Sequence, residues 1–165
     1  MKKTNIYSIS AMIIIVDQLV KLLIKNNMYL TQEITIIPNF FSLFYLQNEG
    51  AAFGLFSGAT VMLVLIGFIV LIYLARYIER NKINKLEGLT YGLILGGIIG
   101  NLIDRLLHHA VIDYLQFMFG DYRFAVFNIA DIAIVVGAGL LTYDLIKNEI
   151  EILKHRRKLK KKKAK

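Results

Sequence analysis

Thr60-Val-Met-Leu-Val-Leu-Ile-Gly-Phe-Ile-Val-Leu-Ile-Tyr-Leu-Ala-Arg-Tyr-Ile78 is an apolar run with one charged side chain, Arg76, close to its end. About 20 mostly apolar residues are what a helix needs to cross the hydrocarbon core of a bilayer. The run is therefore read as a membrane span. Working outward from it, residues 6–24, 89–107 and 126–146 have the same length and character. The only proline, Pro38, lies outside all of them. The fold class expected is an all-α membrane protein, a four-transmembrane-helix bundle with short connections. Composition agrees. Of the 165 residues, 56% are hydrophobic, and the mean hydropathy is +0.55, whereas an ordinary soluble chain is ~45–50% apolar. The first span follows Lys2-Lys3, as a secretory leader would. A leader's apolar core is only ~7–15 residues and ends at a small-residue cleavage site. This one runs on from Ile6 to Ile24 without such an exit, and so it reads as a retained span.

Residues 1–153 are read as one four-span domain and 154–165 as a basic tail. The formal net charge of +8 comes mostly from that tail. Because the tail directly follows an apolar segment, it is read as contacting anionic lipid at a cytoplasmic face rather than nucleic acid. It is expected to be disordered beyond Leu159. Cysteine is absent, which excludes disulfides, thiolate-held zinc and a thiol nucleophile. Arg76, Arg80, Lys82 and Lys85 crowd the connection between the second and third spans. Residues 25–59 and 108–125 are poor in cations. The positive-inside rule then places both termini and the middle connection in the cytoplasm and the two longer connections outside. In the first of these, Ile34–Ile37 and Ser42–Gln47 flank Pro38-Asn39 as a small hairpin. Ala51–Phe56 is expected to lie on or in the outer leaflet. Leu115–Val126 reads as an aromatic membrane-interface stretch. Gly92, Gly96 and Gly100, with Gly97 beside them, give the third span a small-residue face for close helix packing.

Ionisable side chains are costly inside a bilayer, so their positions point to function. Asp17 and Lys21 fall in the outer half of span one. Asn101, Asp104 and Arg105 close span three. Asn128 and Asp131 open span four, and Asn48 and Asp113 come from the outer connections. Polar groups from distant stretches thus converge on one level near the outer face. Asp17 has Lys21 four residues on, along the same helix face. Asp113 and Asp131 have no Lys or Arg within four residues and are bracketed by apolar side chains. Burial without a cation raises a carboxyl pKa. Two such groups close together would share a proton, one acting as base toward water and the other polarising a carbonyl. That is aspartic-protease chemistry and needs no metal or other cofactor. His108-His109 reads as an interfacial pair. An ion path through the same polar cluster, or a scaffold working through the tail, are the competing readings.

Four blocks are similar to those of the bacterial lipoprotein signal peptidases, also called signal peptidase II. They are Asp17-Gln18-Leu19-Val20-Lys21, Asn48-Glu49-Gly50-Ala51-Ala52-Phe53-Gly54, Gly100-Asn101-Leu102-Ile103-Asp104-Arg105 with Val111-Ile112-Asp113-Tyr114, and Phe127-Asn128-Ile129-Ala130-Asp131. Their order, the chain length and the span count fit as well, and only Tyr114, often Phe in the family, departs. The resemblance implies a multi-pass aspartic endopeptidase of the bacterial cytoplasmic membrane. Its substrates would be prolipoproteins, cut just before a cysteine that already bears diacylglycerol. It implies Asp113 and Asp131 as the catalytic pair, and Asn48, Asn101, Arg105 and Asn128 as residues lining the site. Asp17 and Lys21 would support them, with Gly50 and Asp104 grouped around the same site. It also implies a small extracytoplasmic β-cradle over Ile34–Gln47 and a short surface helix over Gly50–Phe56, in a chain expected to act as a monomer.

Overall fold

The structure, a computed structural model, describes residues 1–50 and 58–163. The surface helix expected over Gly50–Phe56 and the outer-leaflet stretch expected at Ala51–Phe56 therefore lie, apart from Gly50, outside the described residues. In chain order the elements are α1 (Lys3–Asn27), β1 (Glu33–Ile37), β2 (Phe41–Asn48), α2 (Thr60–Arg80), α3 (Lys85–His108), β3 (Val111–Phe119), β4 (Tyr122–Arg123) and α4 (Ile129–Lys163). All four helices are long and apolar enough to cross a membrane. Their burial suits a lipid solvent. Val61, Ile69 and Val135 stand 75%, 66% and 69% exposed. Apolar side chains left uncovered at this density would be a liability in water.

α3 lies at the centre of the bundle, and glycine puts it there. A methyl group on Gly92 would come within 3.0 Å of the Ile6 carbonyl oxygen, and one on Gly96 within 2.9 Å of the Ser10 oxygen. α1 therefore rides directly on the backbone of α3. On the far side, Gly97 meets the Ala130 carbonyl oxygen of α4. Without a hydrophobic drive between helices in lipid, such backbone contact is what holds them together. At one end of the bundle, the Met1 amine donates to the Ile83 carbonyl, and Lys3 pairs with Glu79 at 2.8 Å. There Ile6, Leu74, Ile78, Ile83, Tyr91 and Leu95 form a core. α3 begins with a capping box, Asn84 with Glu87, and ends at His109 in the left-handed region.

At the other end, where α1 and α3 finish and α4 begins, sits an antiparallel sheet of order β1-β2-β3-β4. The β1–β2 hairpin turns through Pro38-Asn39, with Asn39 at φ 57, as expected from the turn residues. The sheet is larger than the expected hairpin. Residues 111–119, part of them read as an aromatic interface stretch, form β3 and pair with β2 from Phe41↔Phe117 to Asn48↔Val111. Val-Ile-Asp-Tyr-Leu-Gln-Phe-Met-Phe has the β-branched and aromatic content of a strand. Its partner, however, lies two helices away in sequence. Ile24, Met28, Tyr45, Ile112 and Tyr114 form the core that ties this sheet to α1.

α4 also departs from expectation. It starts at Ile129 rather than 126, because Phe127 still bridges to Leu115 of β3. It continues to Lys163, so residues 160–163 of the stretch expected to be disordered are helical. Lys, Leu and Arg are strong helix formers, and no Gly or Pro follows Gly139. The α3–α4 contact gives a first test. Gly97→Ala forces a methyl into the Ala130 carbonyl and should cost ~1–3 kcal/mol by overpacking, seen as an earlier unfolding transition in detergent. Gly139→Ala meets nothing within 4 Å and should leave that transition unchanged or raise it.

Candidate functional site

The innermost layer of the site is ionic. Asp17 and Lys21, one turn apart on α1, are 0% and 1% exposed. The Lys21 ammonium lies 2.8 Å from Asp17 Oδ2 and 2.8 Å from Asp104 Oδ2 of α3. Its remaining proton goes to Asn101 Oδ1 at 3.1 Å. Both carboxylates hold further donors. Asp17 Oδ1 accepts from the Ala130 N–H of α4 at 2.9 Å, and Asp104 Oδ2 from the Ile112 N–H of β3 at 3.1 Å. A methyl on Gly100 would sit 2.7 Å from Asp17 Oδ2, so only glycine leaves room for this layer. Buried charges survive only when paired and hydrogen-bonded to this degree.

A second, amide layer lies against it. The Asn101 side chain passes the contact on, donating from Nδ2 to Asp131 Oδ1 at 2.7 Å. Asn128 Nδ2 donates to Asp113 Oδ1 at 2.7 Å and to Asn101 Oδ1 at 3.1 Å. Asn48 Nδ2 donates to Asp113 Oδ2 at 2.9 Å. Asn128 and Asp131 also start α4 as a reciprocal cap. The Asp131 N–H donates to Asn128 Oδ1 at 2.9 Å, and the Asn128 N–H donates to Asp131 Oδ2 at 3.1 Å. The Asp131 carboxylate therefore stands among the first N–H groups of the helix, where the backbone dipole favours an anion. Arg105 reaches from α3 to the Gly50 carbonyl at 2.7 Å, and the Gly50 N–H returns to Asn48 Oδ1 at 3.0 Å.

Asp113 on β3 and Asp131 on α4 face one cavity of about 470 Å³, lined also by Asn48, Asn101 and Arg105. Asp113 is 1% exposed. Burial lifts its carboxyl to about 7, and the charge of Asp131 adds to the lift against the donors Asn48 and Asn128. Both carboxylates are held by side-chain amide donors, Asp113 by Asn48 and Asn128 and Asp131 by Asn101. The rest of the wall is apolar, with Phe124, Val126, Phe127, Ile134 and Val135. Val135 is mostly exposed, so this wall runs out onto the lipid-facing side of α4.

Asp113, Asp131, Asp17, Lys21, Asn48, Gly50, Asn101, Asp104, Arg105 and Asn128 thus form one connected assembly. Asp104 and Arg105, adjacent in sequence, point apart, the first toward Lys21 and the second toward the cavity. His108 stands outside, 3.4 Å from Lys25 at the exposed rim, and Arg123 pairs with Glu33 of β1. One contributor, Gln18, stands in the first motif block of the sequence but was assigned no role there. Gln18 Nε2 donates to Asp104 Oδ1 at 2.9 Å and to the Gly100 carbonyl at 3.1 Å. An amide inside an apolar span was the available signal. The apolar cavity wall was not singled out either, since its residues look like ordinary span and interface.

Comparison with known proteins agrees on the family. A family model described as Signal peptidase (SPase) II matches residues 9–147. The lipoprotein signal peptidase of Halothermothrix orenii is 39% identical over 144 residues, covering 87% of this chain and 97% of that one. That of Bacillus subtilis is 40% identical over 141 residues, covering 85% and 92%. A bacterial membrane enzyme solved by the in meso method superposes with a TM-score of 0.83 at 30% identity, covering 88% of this chain and 90% of that one.

The ionic layer makes its own prediction. Lys21→Met leaves two buried carboxylates facing each other without their cation, and breaking such a group costs about 3–5 kcal/mol. The unfolding midpoint in detergent should fall accordingly. Lys25→Met, at the exposed rim, should change it by less than ~1 kcal/mol.

Proposed function

This chain belongs to the signal peptidase II family, and from that premise we propose that Asp113 and Asp131 use water to cut the signal peptide from lipid-modified prolipoproteins. The observation that carries the reading is one cavity lined by both carboxylates, from β3 and α4, with Asn128 donating to Asp113 from its side chain and to Asp131 from its backbone N–H. The bond cut is the one before the diacylglyceryl-bearing cysteine. Such a cysteine sits at headgroup depth in the outer leaflet. The positive-inside count puts the sheet, the cavity and the aspartates at that face, with both termini in the cytoplasm.

The roles follow from the surroundings. Asp113 is the member that keeps a proton near neutrality, because burial and the neighbouring charge of Asp131 lift its carboxyl to about 7. Asp131 holds the negative charge, received by Asn101 and by the helix start. A water between them gives a proton to Asp131 as its oxygen attacks the scissile carbonyl carbon. Asp113 donates its proton to the carbonyl oxygen. As the tetrahedral adduct collapses, the C–N bond breaks, the leaving nitrogen takes the proton from Asp131, and the hydroxyl proton returns to Asp113. Arg105 lines the cavity with a buried Nε–H that has no hydrogen-bond partner among the described residues. That donor suits a backbone carbonyl of the bound peptide. Asn48 and Gly50 hold Asp113 and Arg105 in register, and Asp17, Lys21 and Asp104 keep the helices in place behind them.

The substrate's physical chemistry fits the wall. An apolar signal helix can lie against Val135 and the lipid-facing side of α4. A diacyl anchor adds ~0.8 kcal/mol per buried methylene, enough to hold one bond over the carboxylates. Lateral entry of this kind admits membrane-borne chains and excludes soluble ones. The domain carrying the activity is residues 1–153. The tail rests on anionic lipid and is dispensable for chemistry, and the unit is a monomer.

Two outcomes test this reading. Asp113→Asn and Asp131→Asn should each reduce cleavage of a diacylglyceryl-modified precursor by at least ~10³-fold, the loss of a positioned acid or base together with its partner, while membrane insertion persists. Turnover by either variant near the wild-type rate sinks the pair. The pH profile is the second. Asp113 must be protonated to act, so activity should decline as pH rises through about 7, where its proton leaves. An activity that climbs steadily to pH 9 would rule out a protonated Asp113 as the acid.

A further inference from the structure

α2 carries a second concavity, of about 450 Å³, at the end of the bundle opposite the aspartates. Ile69, Ile72, Tyr73, Arg76, Tyr77 and Arg80 line it, with Asn81 closing the end. Their spacing is that of a single helix face. Its composition changes along its length. Ile69, Ile72 and Tyr73 are 66%, 51% and 65% exposed, left uncovered by the described residues, and the face then ends on two guanidinium groups one turn apart.

Like charges at i, i+4 repel, so a helix gains nothing from this pair on its own account. A carboxylate lies close in sequence, Glu79, but it is engaged by Lys3 at 2.8 Å and by the Tyr7 hydroxyl at 3.0 Å. Among the described residues, neither Arg76 nor Arg80 has an ion-pair or hydrogen-bond partner. The negative end of the helix dipole accounts for one arginine at this terminus. It does not account for an apolar groove that leads up to two. From Ile69 to Arg80 the face rises roughly 16 Å at 1.5 Å per residue, about half of a ~30 Å hydrocarbon core. The groove is as long as one leaflet is deep, and its charges fall at the leaflet's headgroup edge.

We propose that this groove is a binding site for one anionic phospholipid of the leaflet that faces the chain's two termini. An acyl chain lies along Ile69, Ile72 and Tyr73. The phosphodiester is held between Arg76 and Arg80, whose planar forks match its oxygens. A free phosphate would gain nothing from the apolar length, and a zwitterionic lipid would bring a cation against the same two guanidiniums. The lipid fills the uncovered flank of α2, the helix that packs chiefly against α3.

The test uses the full chain reconstituted in nanodiscs of phosphatidylcholine alone and of phosphatidylcholine mixed with phosphatidylglycerol, followed by native mass spectrometry of retained lipid. The wild type should keep one phosphatidylglycerol and no comparable phosphatidylcholine, and inorganic phosphate should not displace it. Arg76→Gln with Arg80→Gln should lower phosphatidylglycerol retention by about tenfold, the scale of losing charge-assisted hydrogen bonds. Lys25→Gln, at the exposed rim of the opposite end, should not. Both arginines are exposed, and an unchanged unfolding transition verifies that the double variant is folded. Equal retention of the two lipids by the wild type overturns the site without any variant. Displacement by phosphate, or undiminished retention in the arginine variant, overturns it as well.

Discussion

The structure depends on one buried ammonium. Lys21 spends its three protons on Asp17, Asp104 and Asn101, and each acceptor belongs to a further link. Asp17 holds the first turn of α4 through the Ala130 N–H. Asp104 holds the start of β3 through the Ile112 N–H. Asn101 reaches Asp131 directly. The two elements that bring Asp113 and Asp131 to the cavity are therefore moored to the same cation. In a medium of low dielectric, an unsatisfied member of such a set is expensive. The set consequently holds together as a whole, and its geometry passes to the aspartates without a flexible link in between.

Close packing makes this layer possible. Gly100 leaves the space that the Asp17 carboxylate occupies, and Gly92, Gly96 and Gly97 bring α1 and α4 onto the backbone of α3. Lipid supplies no hydrophobic pressure between helices, so contact area and polar pairing do the holding. The glycine face of α3 and the ionic layer are two parts of one device. The first sets the helix separation at which a lysine can span two carboxylates on different helices.

Much of this was legible in the sequence because it is local. A span is a property of some twenty consecutive residues, and all four runs proved to be helices. The hairpin at Pro38-Asn39 is set by turn residues, one of which takes positive φ. The depth argument for Asp17, Asn101, Asp104, Asn128 and Asp131 needed only helix direction and rise. What escaped was non-local or polar in a plain way. β3 pairs with β2 across two intervening helices, and aromatic residues serve strand and interface equally well. Gln18, though part of the first motif block, was given no role because an uncharged amide is the mildest of intramembrane polar groups. The helical tail escaped because a lysine run is read by charge before it is read by propensity.

Asp131 is at once a cavity carboxylate and the cap of its own helix, since its second oxygen receives the Asn128 N–H. Whenever that carboxylate takes up a proton, the cap loses part of its electrostatic grip, an interaction worth ~0.5–2 kcal/mol at helix starts. Occupancy of the proton and tightness of the α4 terminus are then thermodynamically linked quantities, each reporting on the other. The start of α4 becomes a built-in gauge of the charge state beside it, readable by amide hydrogen exchange at Asn128.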